Sequence, residues 1–126
     1  MSDARNITNA LTSPRRFVCD AILCAIPFKV YAVNYGGSFD CSVREMEIGI
    51  DKDDWVYTVG ILIHETIEGV FALKDIRFVS PTYTSNDSYV FQFDHHRFSD
   101  AMEEAAPFLC AVLPKLETAW NRKHKK

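Results

Sequence analysis

The chain has few features that would assign it early to a special class. Its four cysteines, Cys19, Cys24, Cys41 and Cys110, show no Cys-x-x-Cys spacing. That argues against a zinc finger or a disulfide framework, and their apolar neighbours suit buried free thiols. The first residues show no basic region followed by an apolar run and a small-residue cleavage site, so a secretion signal is not expected and a reducing cytoplasm is the default compartment. The longest apolar stretch, Val59 to Ile63, is far too short to span a bilayer, so no membrane is expected. Charge of one sign does not dominate either. Seventeen acidic against 14 basic residues give a net charge of −3. No overall field therefore favours nucleic acid, and the basic run Arg122-Lys123-His124-Lys125-Lys126 reads as a solvated tail. Internal repeats, low-complexity segments and linkers are also missing.

What remains is a chain of 126 residues, 48% of them hydrophobic, enough for one continuous core. We expect a single domain over residues 1–126, with 1–12 and 121–126 as flexible tails. Thr12-Ser13-Pro14 resembles a helix start, and Phe17, Ala21, Ile22 and Ala25 keep helical spacing up to Pro27. Phe28 to Tyr35 has strand composition, Gly36-Gly37-Ser38 is turn chemistry, and Ser42 to Ile50 alternates with Met46, Ile48 and Ile50 on one face. These segments predict a β-hairpin. Acidic residues Asp51, Asp53 and Asp54 precede a helix predicted over Trp55 to Leu73 and can cap it. Two short strands, Ile76 to Ser80 and Ser88 to Phe93, flank a polar loop. Ser99 or Asp94 opens a last helix whose apolar positions run from Phe98 to Trp120, with Pro107 and Pro114 expected to kink or split it. The expected architecture is α+β: a small antiparallel sheet packed against a buried central helix and a C-terminal helix.

The central helix carries the chemistry. On a helical wheel, Val56, Val59, Leu62, Ile63, Ile67, Val70 and Phe71 spread over more than half the circumference. Tyr57, Thr58, His64, Glu65 and Glu68 share a narrow polar wedge without lysine or arginine. A carboxylate drawn into a core costs several kcal/mol unless paired, hydrogen-bonded or metal-bound. His64 and Glu68, four apart, project from one face as two ligands of one ion would, and Glu65 stands beside them where it could take a proton from metal-bound water. Later in the chain, His96 and Glu103 lie seven residues apart, almost two turns, and share a stripe if the last helix already includes His96. His64, Glu68, His96 and Glu103 then form a candidate ligand set suited to zinc, and also to iron or manganese, with Glu65 as the candidate catalytic base. Whether His95 or His96 faces the site stays open.

Ile63-His64-Glu65-Thr66-Ile67-Glu68 resembles the active-site helix of zincin metallopeptidases, with Glu68 in place of the second histidine. The resemblance implies a zincin-like minimal fold, His64 as ligand and Glu65 as general base. A closer resemblance is to a family of small phage and prophage proteins that pair such a His-Glu-x-x-Glu helix with a later His-x-Phe-x-x-Ala-x-Glu element. Here those residues are His64, Glu65 and Glu68, then His96, Phe98, Ala101 and Glu103. It implies that the two elements meet in space, and a host cytoplasm as the setting.

Two functions follow. One is a minimal zinc-dependent hydrolase or peptidase using Glu65 as base. The other is a non-enzymatic phage accessory or host-interaction protein, in which the His/Glu cluster is a structural metal site or a buried polar network. In the second case the working surface lies elsewhere, with Tyr83, Tyr89, Phe91 and Phe93 as candidates. Substrate, partner and oligomeric state are open.

Overall fold

The computed structural model describes residues 15–75, 77–79 and 89–125. The chain runs through β1 (Arg16–Leu23), β2 (Ile26–Val33), β3 (Gly37–Asp40) and β4 (Glu45–Gly49), then α1 (Trp55–Leu73), β5 (Arg77–Val79), β6 (Tyr89–Phe91) and α2 (His95–Lys123). The α+β class is as expected.

The first departure is β1. The segment expected as a helix is a strand, because its side chains obey a period of two: Cys19, Ala21 and Leu23 are buried, while Asp20 and Ile22 between them are exposed. Thr12-Ser13-Pro14, the expected helix start, lies outside the described residues. A two-residue turn, Cys24-Ala25, reverses the chain so that Leu23 pairs with Ile26. Pro27 does not end a helix but sits in β2. Residue 29 donates its N–H to Arg44 on the β4 side, and residue 27, two positions earlier, faces the same way beyond the end of β4, where no ladder bond is lost.

The expected hairpin between the second and third apolar segments is a parallel pair. β2 runs parallel to β4 from Lys29↔Glu45 to Val33↔Gly49, and β3 forms the outer antiparallel neighbour of β4. The sheet is therefore mixed, in the order β1-β2-β4-β3. A tight backbone approach fixes this route: a Cβ on Gly49 would lie 2.5 Å from the Gly36 carbonyl oxygen, to which Gly49 N–H donates at 2.7 Å. Any side chain there would push the turn off the end of β4.

One face of the sheet is apolar and carries both helices. Phe28, Val30, Ala32, Met46 and Ile48 join the buried stripes of α1 and α2 in one core. The other face is a charge lattice: Arg15 reaches Glu45 at 3.1 Å and Glu47 at 3.5 Å while lying over the Tyr31 ring, and Lys29 meets Asp20 at 3.0 Å. β5 and β6 form a separate antiparallel pair.

α2 is one unbroken helix despite Pro107 and Pro114. Both prolines are exposed, as are Glu103 and Cys110, whose carbonyls lose their partners four residues on. On this exposed side the orphaned carbonyls are open to solvent, and the helix is not split. Its buried stripe is Ala101, Ala105, Phe108, Val112, Leu116 and Ala119, with Phe98 left exposed. Residues 121–123 complete the last turn of α2, with His124 as its C-cap. The Trp120 indole donates to the Lys52 carbonyl at 3.0 Å, and His124 Nε2 lies 2.7 Å from the Ile50 carbonyl, clamping the end of α2 to the approach to α1. Of the free cysteines, Cys19 is buried as expected, whereas Cys41 and Cys110 are exposed.

Candidate functional site

α1 begins where the acids predict. Asp54 is its N-cap, accepting the Val56 N–H at 3.0 Å. The helix is nevertheless less buried than its composition suggests: of its 19 residues, Thr58, Leu62, Thr66, Gly69, Val70 and Phe71 are buried. Two members of that stripe, Thr58 and Thr66, turn their hydroxyls into the core, where neither has a hydrogen-bond partner among the described residues. The polar wedge drawn from the wheel therefore splits, with Thr58 inward and Tyr57 and His64 outward.

On the outward side, Val56 is 74%, Tyr57 53% and Ile63 45% exposed. Gly60 joins them with open space where a side chain would stand. The helix is also long and apolar enough, by composition, to cross a membrane, although only 33% of the apolar window is buried here. The expectation from the short run Val59 to Ile63 overlooked this, because Gly60, Thr58 and Thr66 dilute the helix without charging it.

The His/Glu cluster stands in the middle of this face. His64 Nε2 lies 3.0 Å from Glu68 Oε2 and 4.0 Å from Glu65 Oε2. The imidazole is 67% exposed, whereas the Glu65 and Glu68 side chains retain 13% and 23%. Glu65 is covered by β3: a Cβ on Gly37 would meet Ile61 at 2.7 Å and the Glu65 carboxylate at 3.1 Å. Glycine there lets the sheet edge close over the acid. Two open, apolar hollows flank His64. One, about 400 Å³, runs between Tyr57, Gly60, Ile61 and the Gly36-Gly37 turn. The other, about 280 Å³, lies between Ile63, Ile67, Glu68, Phe71 and Phe91. Phe71 packs on Phe91 and Phe93 with ring centroids 5.1 and 5.2 Å away, and Phe93 stacks on Phe98. Tyr83 and the Tyr89 side chain lie outside the described residues.

The second predicted element sits apart. Asp94 caps α2 by accepting the Arg97 N–H at 2.9 Å, so His95 and His96 do fall in the first turn. His96 is 86% exposed and its near neighbour is Asp100, at 3.6 Å, one turn on. Glu103 is exposed on the same helix, and neither His96 nor Glu103 lines the hollows beside His64. Among the described residues, no group of three or more His, Cys, Asp or Glu is arranged to hold a metal ion. The structure thus brings together His64, Glu65 and Glu68, and leaves His96 and Glu103 outside that cluster.

At 3.0 Å, His64 and Glu68 stand at hydrogen-bond spacing, where an imidazole N–H can donate to the carboxylate.

The exposed apolar surface was missed by sequence reasoning, yet its signal was there. An apolar arc wider than half a helix exceeds what one sheet and one neighbouring helix can cover, so part of it must face outward.

Models of protein families, curated proteins and solved structures yielded no match to this chain.

Proposed function

We propose that the protein is a non-enzymatic binding protein, of the accessory or host-interaction kind, whose working surface is the outward face of α1. The observation that carries this reading is the exposure of Val56, Tyr57 and Ile63 around Gly60 on one side of a single helix. Isolated exposed apolar residues are ordinary, but a contiguous patch flanked by open apolar hollows is the mark of an interaction site. The expected partner is a protein segment that fills the hollows with apolar side chains. The gap over Gly60 admits a close backbone approach, as a helix laid into the groove requires. In this reading His64–Glu68 is a polar register element that fixes how the partner sits.

A benzophenone-bearing residue in place of Ile63 tests this inside the producing cell. The expected result is a discrete photo-adduct that disappears when Val56→Lys is added. The same probe in place of Ile22, on the opposite face of the sheet, should give none. Equal adducts from both positions, or none from position 63, contradict the proposal.

A second reading keeps the metal. The approach of two carboxylates to one imidazole, at 3.0 and 4.0 Å, favours it. His64 and Glu68 would be ligands of zinc, iron or manganese in a zincin-like minimal fold, with Glu65 as the base of a hydrolase. His96 and Glu103 would have to approach from α2 to complete the set. Zinc bound there would polarise a water or a substrate carbonyl. Elemental analysis of untagged wild type and His64→Ala separates the readings. A stoichiometric metal lost in the variant favours the metal site, and equal trace content in both favours the binding surface.

A further inference from the structure

The net negative charge of the chain conceals one strongly basic region. The C-terminal turns of α2 run beside the start of β1 and the end of β2, and two hollows open along this seam. The larger, about 430 Å³, is lined by Arg16, Arg122 and Lys123 together with Asn34 and Ile50. The smaller, about 220 Å³, is lined by Arg16, Lys115 and Arg122 with Phe17 and Thr118. Arg16 and Arg122 belong to both, so the hollows form one cleft that, among the described residues, holds four cations and is lined by no acidic residue.

The register of β1 explains how Arg16 comes to be there. Arg16 pairs with the buried Ala32, whereas Phe17 pairs with Tyr31 of the outer face. The irregularity between Phe17 and Cys19 restores the inward phase for Cys19. Adjacent arginines thus part company. Arg15 goes to the outer face and is neutralised by Glu45 and Glu47, at 3.1 and 3.5 Å. Arg16 goes to the helix side, where among the described residues no carboxylate lies within ion-pair reach of it or of Lys115, Arg122 or Lys123. Two of the four cations sit in the last turn of α2 and complement its dipole. That accounts for Arg122 and Lys123 but not for Arg16 and Lys115.

Exposed cations ranged along one cleft repel one another through solvent, and an anion lying between them is attracted by each. Lys115 and Arg122 are two helical turns apart, about 10 Å along the axis, with Arg16 facing the interval between them from the sheet. A single small anion would engage one end of such a row. We propose that this cleft binds a phosphoanhydride group, the di- or triphosphate portion of a small molecule. Arg16 and Arg122 would grip the phosphates with their planar guanidinium forks, Lys115 and Lys123 would add charge at either end, and the Asn34 amide would donate to a terminal oxygen. Cleft volumes in the few-hundred Å³ range suit a ligand of that size.

Titration of the full chain with inorganic pyrophosphate, followed by calorimetry at low and at physiological salt, tests the proposal. Wild type should bind one pyrophosphate. Arg16→Gln and Arg122→Gln should each weaken binding by roughly tenfold or more, since each removes a charge-assisted pair. Arg44→Gln, in the exposed turn before β4, should leave binding unchanged. Both target arginines are exposed, and circular dichroism of each variant confirms that it folds. Absence of binding at low salt, or equal weakening by Arg44→Gln, overturns the proposal. A single-stranded oligonucleotide that binds and is not displaced by pyrophosphate also overturns it, by assigning the cleft to a nucleic-acid backbone.

Discussion

The imidazole of His64 lies 3.0 Å from the Glu68 carboxylate one turn further along α1, while two thirds of its own surface stays in contact with solvent. An exposed pair of this kind contributes little to stability, because water and salt screen it. His64→Ala should therefore lower the unfolding free energy by less than about 0.5 kcal/mol in urea titration. A loss of several kcal/mol would mean that the histidine holds a structural ion.

Thr66 is fully buried, and its hydroxyl has no hydrogen-bond partner among the described residues. Valine has nearly the same shape without the unsatisfied group. Thr66→Val should raise stability by about 1 kcal/mol, read as a higher urea midpoint at unchanged slope. A lower midpoint would show that the hydroxyl has a partner after all.

The turn between β1 and β2 carries strain that a glycine would relieve. Cys24 and Ala25 both adopt left-handed conformations, with φ of 52° and 65°. A two-residue hairpin turn with both central residues at positive φ favours Asn-Gly. The double substitution Cys24→Asn, Ala25→Gly should stabilise the chain by about 1–2 kcal/mol, measured by thermal and urea denaturation. An unchanged or lower melting temperature would contradict the strain.

Pro107 interrupts the hydrogen-bond ladder of α2 on its wet side. Because helix and packing are otherwise intact, Pro107→Ala should restore one bond and gain about 1–3 kcal/mol. Increased helical ellipticity at 222 nm together with a higher melting temperature would confirm it. A drop in stability would place the proline ring in a contact that matters.

These positions also show which parts of the structure were legible in the sequence. The bounds of α1 followed from Asp54 as a cap and the unbroken apolar pattern to Leu73, and the inward face of β4 followed from Met46, Ile48 and Ile50, because both patterns are local. β1 was misread for the same reason. Phe17, Ala21 and Ala25 fit a helical period, and only pairing with β2, through a turn lacking both glycine and asparagine, makes the alternation of Cys19, Ala21 and Leu23 decisive. The parallel placement of β2 beside β4 was hidden because β3 is only four residues long and its seat depends on the contact between Gly49 and the Gly36 backbone. Within the candidate site, the i,i+4 geometry joining His64 to Glu68 was legible. The distance of His96 from that pair was not, since it depends on how α2 crosses the molecule. The basic cleft was concealed by an Arg15-Arg16 dipeptide whose members point to opposite faces.

The central claim is that the outward face of α1 is covered by a partner when the protein works. Hydroxyl-radical footprinting tests it most directly, by comparing the purified chain with the same chain inside the producing cell. Tyr57 and Ile63 should react readily when purified and be protected in the cell, while Ile22 and Tyr31 on the opposite face of the sheet react equally in both. Equal reactivity of Tyr57 and Ile63 in the two settings would contradict the account.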